Sequence, residues 1–105
     1  SSSGMYMFDV YRIGKLVTLL CMCNKTGSTP AGNNIFTGIV NGSYGSIPAP
    51  ALDYATGAGF YNTCMIGGFL YVDGDDLRMT IRNLGNTALA ANAVVYVSLT
   101  YMTNE

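Results

Sequence analysis

The chain has 105 residues, of which 10% are charged and 50% hydrophobic, and its formal net charge at pH 7 is −1. Five scattered basic residues cannot form the positively charged surface that nucleic acid requires, so nucleic-acid binding is set aside. Soluble domains usually have about 25% charged residues, and so low a charge predicts that other copies of the chain cover part of the surface. The alternative is a monomer kept soluble by tyrosine hydroxyls and asparagine amides.

The length predicts a single domain. No run of about 18 apolar residues occurs, so no membrane span is expected. The opening Ser1-Ser-Ser-Gly4 has neither the basic region nor the apolar core of a signal peptide. Residues 1–5 are therefore assigned to a linker or an expression remnant, and residues 6–105 to the domain.

The first strong pattern is a β-hairpin. The segments Tyr6–Arg12 and Lys15–Cys23 are rich in β-branched and aromatic residues, and Gly14 supplies the positive φ of a tight turn. Both parities of the second segment are largely apolar, which predicts a strand covered on both faces, by the core and by another sheet or subunit. A buried helix is the alternative for this segment.

The middle of the chain begins with a polar loop, residues 24–34. Ile35–Val40 and Ser43–Ile47 flank Asn41-Gly42, the dipeptide most typical of a hairpin turn. The segment Ala49–Gly59 contains small residues without a clear period, and it is predicted to be a loop that crosses between sheets.

The last third predicts four more strands. Phe60–Ile66 is expected to be a strand that Gly67-Gly68 interrupts, and Phe69–Val72 and Asp76–Arg82 form a hairpin. In Asp76–Arg82 apolar and polar residues alternate, as in a strand with one face in water. Ala93–Met102 is the final strand. About seven short strands with little helical periodicity predict an antiparallel β-sandwich or jelly roll.

The three cysteines are predicted to be buried free thiols. Cys21 and Cys23 share one face of a strand, where their spacing disfavours a mutual disulfide, and Cys64 lies in another apolar run. This favours folding in a reducing cytoplasm. Metal binding by these thiols is a weaker alternative, because the chain contains no histidine.

Chemistry-bearing residues are few. Without histidine the usual base of a serine or cysteine triad is absent. Asp73, Asp75 and Asp76 are predicted to occupy a solvated turn; paired glycosidase carboxylates and a calcium site are the alternatives. No enzymatic activity, cofactor or metal is therefore expected.

Four segments carry a resemblance to a known family. They are Tyr11-Arg-Ile-Gly-Lys-Leu-Val-Thr-Leu19, Gly45-Ser-Ile-Pro48, Gly68-Phe-Leu-Tyr-Val-Asp-Gly-Asp-Asp-Leu-Arg-Met79 and Val95-Tyr-Val-Ser-Leu-Thr-Tyr101. In this order they resemble the C-terminal head domains of phage tail-fibre and receptor-binding proteins. The resemblance implies a homotrimeric β-sandwich head at the tip of a fibre on the virion, folded in the bacterial cytoplasm and recognising saccharide on the host surface.

Candidate saccharide-binding residues follow from a general rule rather than from a motif. Aromatic rings stack on the apolar faces of sugars, and nearby amides and carboxylates hold the hydroxyls. The residues that fit this description are Asn34, Tyr44, Asp53, Tyr54, Tyr61 and Asn62. For each tyrosine a core or interface position is the alternative. For the whole chain, the alternatives are a structural trimerisation or capping module, as in collagen-like or complement-like heads, and a small glycan hydrolase.

Overall fold

A computed structural model describes the backbone of residues 3–41, 47–62 and 64–105, and their side chains except at residues 3 and 5–8. These ranges contain seven β-strands and no helix, which confirms the all-β prediction, and nothing in them could cross a membrane as a helix. The strands are β1 (Ser3–Ile13), β2 (Leu16–Lys25), β3 (Asn34–Ile39), β4 (Tyr54–Tyr61), β5 (Cys64–Asp73), β6 (Asp76–Asn83) and β7 (Val94–Met102).

All seven strands belong to one antiparallel sheet with the order β1-β2-β7-β4-β5-β6-β3. The sheet curls, because β3 at one end of this order contacts both β1 and β2 at the other end. The inside of the curl is a single apolar core to which β2, β5, β6 and β7 contribute most of the buried side chains.

Alternation along the strands decides which side chains enter the core. In β2, Val17 and Leu19 are fully buried, whereas their neighbours Leu16 and Leu20 lie on the outside. The two-residue period confirms a strand and excludes the alternative of a buried helix. The hairpins at Gly14 and Gly74, each with a positive φ, are also as predicted.

Glycines allow the sheet to curl at β4. A methyl group at Gly57 would overlap the carbonyl oxygen of Ser98, and one at Gly59 would overlap that of Tyr96. Opposite Gly57 in the β4–β5 ladder lies Gly68, where an added methyl group would meet the Val97 side chain at 2.5 Å. Only glycine permits these close approaches, so this line of glycines is where the sheet bends across β7.

Three predictions for residues 49–68 were wrong. The predicted loop Ala49–Gly59 contains most of β4, whose glycine- and alanine-rich sequence has little strand propensity of its own. The predicted strand Phe60–Ile66 is divided near Asn62, which has a positive φ of 54° and lies between β4 and β5. Gly67-Gly68 does not interrupt β5, which runs through both residues.

Other boundaries also differ from expectation. β1 begins at Ser3, three residues before the predicted start at Tyr6. The predicted strand Ser43–Ile47 lies outside the described residues except for Ile47, which is buried and belongs to no strand.

A buried asparagine fixes the two loops that follow β2 and β6. The side-chain amide of Asn83 donates to the carbonyl oxygens of Thr29 at 3.1 Å and Thr87 at 2.9 Å. Its side-chain oxygen accepts a hydrogen bond from the backbone N–H of Gly85 at 2.9 Å. Asn83 is fully buried, and these bonds satisfy its amide while joining the two loops.

Candidate functional site

The outer surface of β1, β2, β7 and β4 is unusually apolar. Eight large side chains of these strands are exposed on it, namely Tyr11, Ile13, Leu16, Leu20, Tyr54, Phe60, Tyr96 and Met102. Among the described outward-facing side chains of these strands, Asp9 carries the only charge. We call this surface the outer face. An uncharged surface with so many large side chains is typical of a protein interface rather than of a surface in water.

Two grooves cross the outer face where β4 and β7 separate. In the described chain the two strands pair at Gly57 with Leu99 and at Ala58 with Ser98. One groove, of about 330 Å³, is lined by Leu20, Ala58 and Tyr96 among others. The second groove, of about 290 Å³, lies beside Tyr54 and Met102 at the other end of β4. The close approach that the glycines allow therefore divides the outer face into two shallow apolar depressions.

At one end of β4 an aromatic pair lies beside charged groups. Tyr54 and Tyr71 are opposite each other in the β4–β5 ladder, and their rings stack with centroids 6.1 Å apart and an interplanar angle of 26°. Arg78 is the partner of Tyr71 on β6, and its Nε lies 3.2 Å from a carboxylate oxygen of Asp73. We call Tyr54, Tyr71, Asp73 and Arg78 the tyrosine patch. Tyr54 is exposed and Tyr71 half-buried, and accessible aromatic rings next to fixed polar groups are an arrangement suited to holding sugars.

No family model, curated protein or solved structure matches this chain. Tyr71 is not among the six predicted site residues, because its predicted hairpin with Asp76–Arg82 gives no sign of the contact with Tyr54. Its role in the patch depends on the register between β4 and β5, and β4 was predicted to be a loop.

The six predicted site residues do not form one site. Asp53 and Tyr54 lie together at the start of β4, where the carbonyl oxygen of Asp53 accepts a hydrogen bond from the backbone N–H of Val72 at 3.0 Å. Tyr61 and Asn62 lie at the opposite end of the same strand, and Tyr61 packs partly against the core. An eight-residue strand separates the two groups by roughly 23 Å.

The remaining two predicted site residues are placed elsewhere. Asn34 is exposed at the start of β3, where its side-chain oxygen accepts a hydrogen bond from Arg82 Nε at 2.9 Å. It is near the Asn62 end of the sheet, but β5 and β6 lie between β3 and β4. Tyr44 lies outside the described residues. Of the six predicted residues, Tyr54 thus belongs to the tyrosine patch and Asp53 precedes it in the chain.

The acidic residues of the β5–β6 hairpin occupy a turn, as predicted. Asp73 and Asp75 are exposed, and Arg78 lies between Asp73 and Asp76, at 3.2 Å and 3.9 Å from their carboxylates. Within the described residues no three histidine, cysteine, aspartate or glutamate side chains are close enough to share a metal ion. The arrangement favours a turn held by an ion pair to Arg78.

The prediction of three buried free thiols is confirmed. Burial, with a smaller effect from the neighbouring Cys23, raises the pKa of Cys21 to about 12, and burial raises that of Cys23 to about 12. Thiols held neutral in this way are poor nucleophiles. Tyr101 is likewise buried, donates its hydroxyl to the Pro48 carbonyl oxygen at 2.7 Å, and has a raised pKa through burial and the nearby Glu105 carboxylate.

Proposed function

We propose that this chain is a non-catalytic receptor-binding head of a phage tail fibre, which assembles as a homotrimer at the fibre tip and attaches to carbohydrate on the host cell surface. The observation that carries the proposal is the stacked pair of Tyr54 and Tyr71 at the border of an almost uncharged outer face. The curled antiparallel sheet without helices in the described residues, and the four segments that resemble tail-fibre heads, support this proposal, which includes a jelly-roll sandwich as the fold of the head.

The size of the outer face supports self-association. Tyr11, Tyr96 and Phe60 are 58%, 59% and 63% exposed. With about 200 Å² for an aromatic side chain, these three offer about 360 Å², close to half of the ~800 Å² that each partner contributes to a standard interface. The exposed leucine, isoleucine and methionine side chains of the same face add to this area, so a stable contact between copies needs no other surface.

The charges around the tyrosine patch favour an uncharged sugar. Two carboxylates, those of Asp73 and Asp76, lie 3.2 Å and 3.9 Å from one guanidinium, that of Arg78. The surplus of negative charge repels a sialic or uronic acid, whereas hydroxyl groups of a neutral hexose can accept from Arg78 and donate to the carboxylates. The proposed ligand class is therefore neutral surface polysaccharide.

A binding experiment tests the recognition part of the proposal. The wild-type chain should bind neutral glycans on an array or polysaccharide from host cells. Tyr71→Ala should weaken that binding about five- to thirtyfold, since a stacked aromatic contact contributes about 1–2 kcal/mol. Met65→Ala is the matched control, because Met65 is an exposed apolar residue at the far end of β5, the strand that holds Tyr71, and it lies outside the outer face. Equal loss in both variants would contradict a site at the tyrosine patch.

A second candidate function is supported by the outer face alone. A trimerisation or capping module of a viral, collagen-like or complement-like fibre needs the uncharged interface but no ligand. A well-folded trimer that binds no glycan would favour this module over the receptor-binding head. A monomer at micromolar concentration in light scattering would count against both. Shortening of host polysaccharide on incubation with the wild-type chain would instead indicate the glycan hydrolase.

A further inference from the structure

The chain contains two similar halves that are 60 residues apart. The β1–β2 hairpin turns at Gly14, with a φ of 59°, and the β5–β6 hairpin turns at Gly74, with a φ of 63°. The registers correspond as well, because Ile13 pairs with Leu16 in the first hairpin and Asp73 with Asp76 in the second. The same strand–turn–strand unit therefore occurs twice.

The loops that follow the two hairpins are related in the same way. The backbone N–H of Thr29 donates to the Leu89 carbonyl oxygen at 3.0 Å, and the N–H of Leu89 donates to the Thr29 carbonyl oxygen at 2.8 Å. Gly32 and Asn92 each have a positive φ, of 83° and 64°. Each donates its backbone N–H to the last residue of the other half's hairpin, Gly32 to Asn83 at 2.8 Å and Asn92 to Lys25 at 3.0 Å. These reciprocal bonds relate the halves by an approximate two-fold axis between the loops.

The next strand of each half joins the hairpin of the other half. β3 pairs with β6, and β7 pairs with β2. The symmetry is broken locally by a bulge between Asn34 and Phe36, which shifts the register of β3 on β6. A second bulge, between Met5 and Met7, shifts the register of β1 on β2 and has no equivalent in the β5–β6 hairpin. Apart from these two shifts, β1, β2 and β3 correspond to β5, β6 and β7.

β4 is the strand without a counterpart. It pairs with β5 along its length and with β7 at Gly57 and Ala58. A counterpart of β4 would lie between β1 and β3. These two strands are the ends of the sheet, so in the described chain each has one edge without a paired strand. β1 and β3 contact each other, and so do β5 and β7, the strands on either side of β4.

We propose that the facing edges of β1 and β3 are an acceptor site for one extended strand of the chemistry of β4, supplied by polypeptide joined to the amino end of β1. Only two residues connect β4 to β5. A counterpart of β4 placed directly before β1 would be joined to β1 by an equally short connection. An added strand satisfies the backbone groups of both edges and closes the sheet, which removes edges that otherwise promote aggregation.

The geometry of β4 defines which sequence fits this site. Its inward positions at Gly57 and Gly59 have no side chain because the backbone of the neighbouring strand is so close. The acceptor site therefore selects a strand with small residues at alternate positions. Proline is excluded because it cannot donate to the ladder. The site does not depend on saccharide binding.

A fusion tests the proposal. A copy of residues 54–62 replaces residues 1 and 2 of the full chain and is joined directly to Ser3. Amide hydrogen exchange should slow at least tenfold in both β1 and β3, and the thermal midpoint should rise by several degrees. A control fusion with proline at the copied positions of Gly57 and Gly59 should change neither.

Three outcomes would overturn the proposal. One is slower hydrogen exchange in β1 without slower exchange in β3, which would show that the added strand pairs with the edge of β1 alone. Another is equal protection by the control fusion. The third is protection by the same peptide added in solution but not by the fusion, which shows that a separate chain is the donor. Glycan binding is measured on the same proteins, so loss of saccharide recognition is scored separately.

Discussion

Adjacent leucines on β2 test whether the two faces of this strand have different roles. Leu19 is 0% exposed and lies in the core, whereas Leu20 is 39% exposed and lies on the outer face. Leu19→Ala creates a cavity, which should cost about 3 kcal/mol of unfolding free energy and lower the thermal midpoint by about 12–24 °C. Leu20→Ala leaves no enclosed cavity, and it should cost the isolated protomer less than about 1 kcal/mol.

The protein-concentration dependence of unfolding separates core damage from interface damage. A homo-oligomer unfolds at a midpoint that rises with protein concentration, because association stabilises the folded state. Leu19→Ala should lower the midpoint at every concentration and keep this dependence. Leu20→Asp should abolish the dependence and leave a folded monomer, as measured by light scattering and by denaturation between about 1 and 100 μM, the range in which contacts of about 8 kcal/mol dissociate.

Two results would refute the reasoning. If Leu19→Ala and Leu20→Asp unfold the protein to the same extent at all concentrations, both faces of β2 belong to one core. If the wild-type midpoint is independent of concentration and the Leu20→Asp variant is fully stable, the outer face is not an interface between copies.

Three further predictions follow from buried groups and close backbone contacts. Gly59→Ala should unfold the chain or lower its thermal midpoint by more than about 10 °C. Gly4→Ala is the control: no atom lies within 4 Å of the added methyl group, so the midpoint should change by less than about 4 °C. Similar midpoints for the two variants would contradict the steric argument. Asn83→Ala should cost about 3 kcal/mol in urea denaturation, because the buried Thr29 carbonyl oxygen, the Thr87 carbonyl oxygen and the Gly85 N–H lose their partner. A cost below about 1 kcal/mol would contradict this role. Burial raises the pKa of Cys21 and Cys23 from 9.0 to about 12, so the folded chain holds protons that the unfolded chain releases. The contribution of these thiols to the free energy of unfolding should be constant below pH 9 and should fall from pH 9 to 12. The fall should be less steep in a Cys21→Ala/Cys23→Ala variant, and equal slopes would be contrary evidence.

Local signals were sufficient for most of the sheet. Gly14 and Gly74 stand between apolar segments and permit the positive φ of a hairpin turn, so both hairpins are readable from single residues. The alternation of apolar and polar residues in β6 and β7 likewise identifies the side chains that enter the core, because successive side chains of a strand point to opposite faces of the sheet. These elements are determined by residues that are near one another in the chain.

β4 could not be read from the sequence because its structure is imposed by its neighbours. Its glycines and alanines have weak strand propensity, and they adopt a strand because β5 and β7 provide partners. The tyrosine patch was lost with it, since Tyr54 and Tyr71 are 17 residues apart and meet only through the β4–β5 register. The distribution of the six predicted site residues over both ends of the sheet has the same origin.

The glycines that make β4 hard to recognise also shape the surface that the proposed function uses. Because Gly57 and Gly59 let β4 approach the backbone of β7, the two strands pair at the middle of β4 and separate toward both ends. That separation opens the two apolar grooves and places Tyr54 beside the second one. Residues with better strand propensity at positions 57 and 59 would force β4 away from β7 and remove the bend. The weak strand signal is thus a direct consequence of the close contact that forms the outer face.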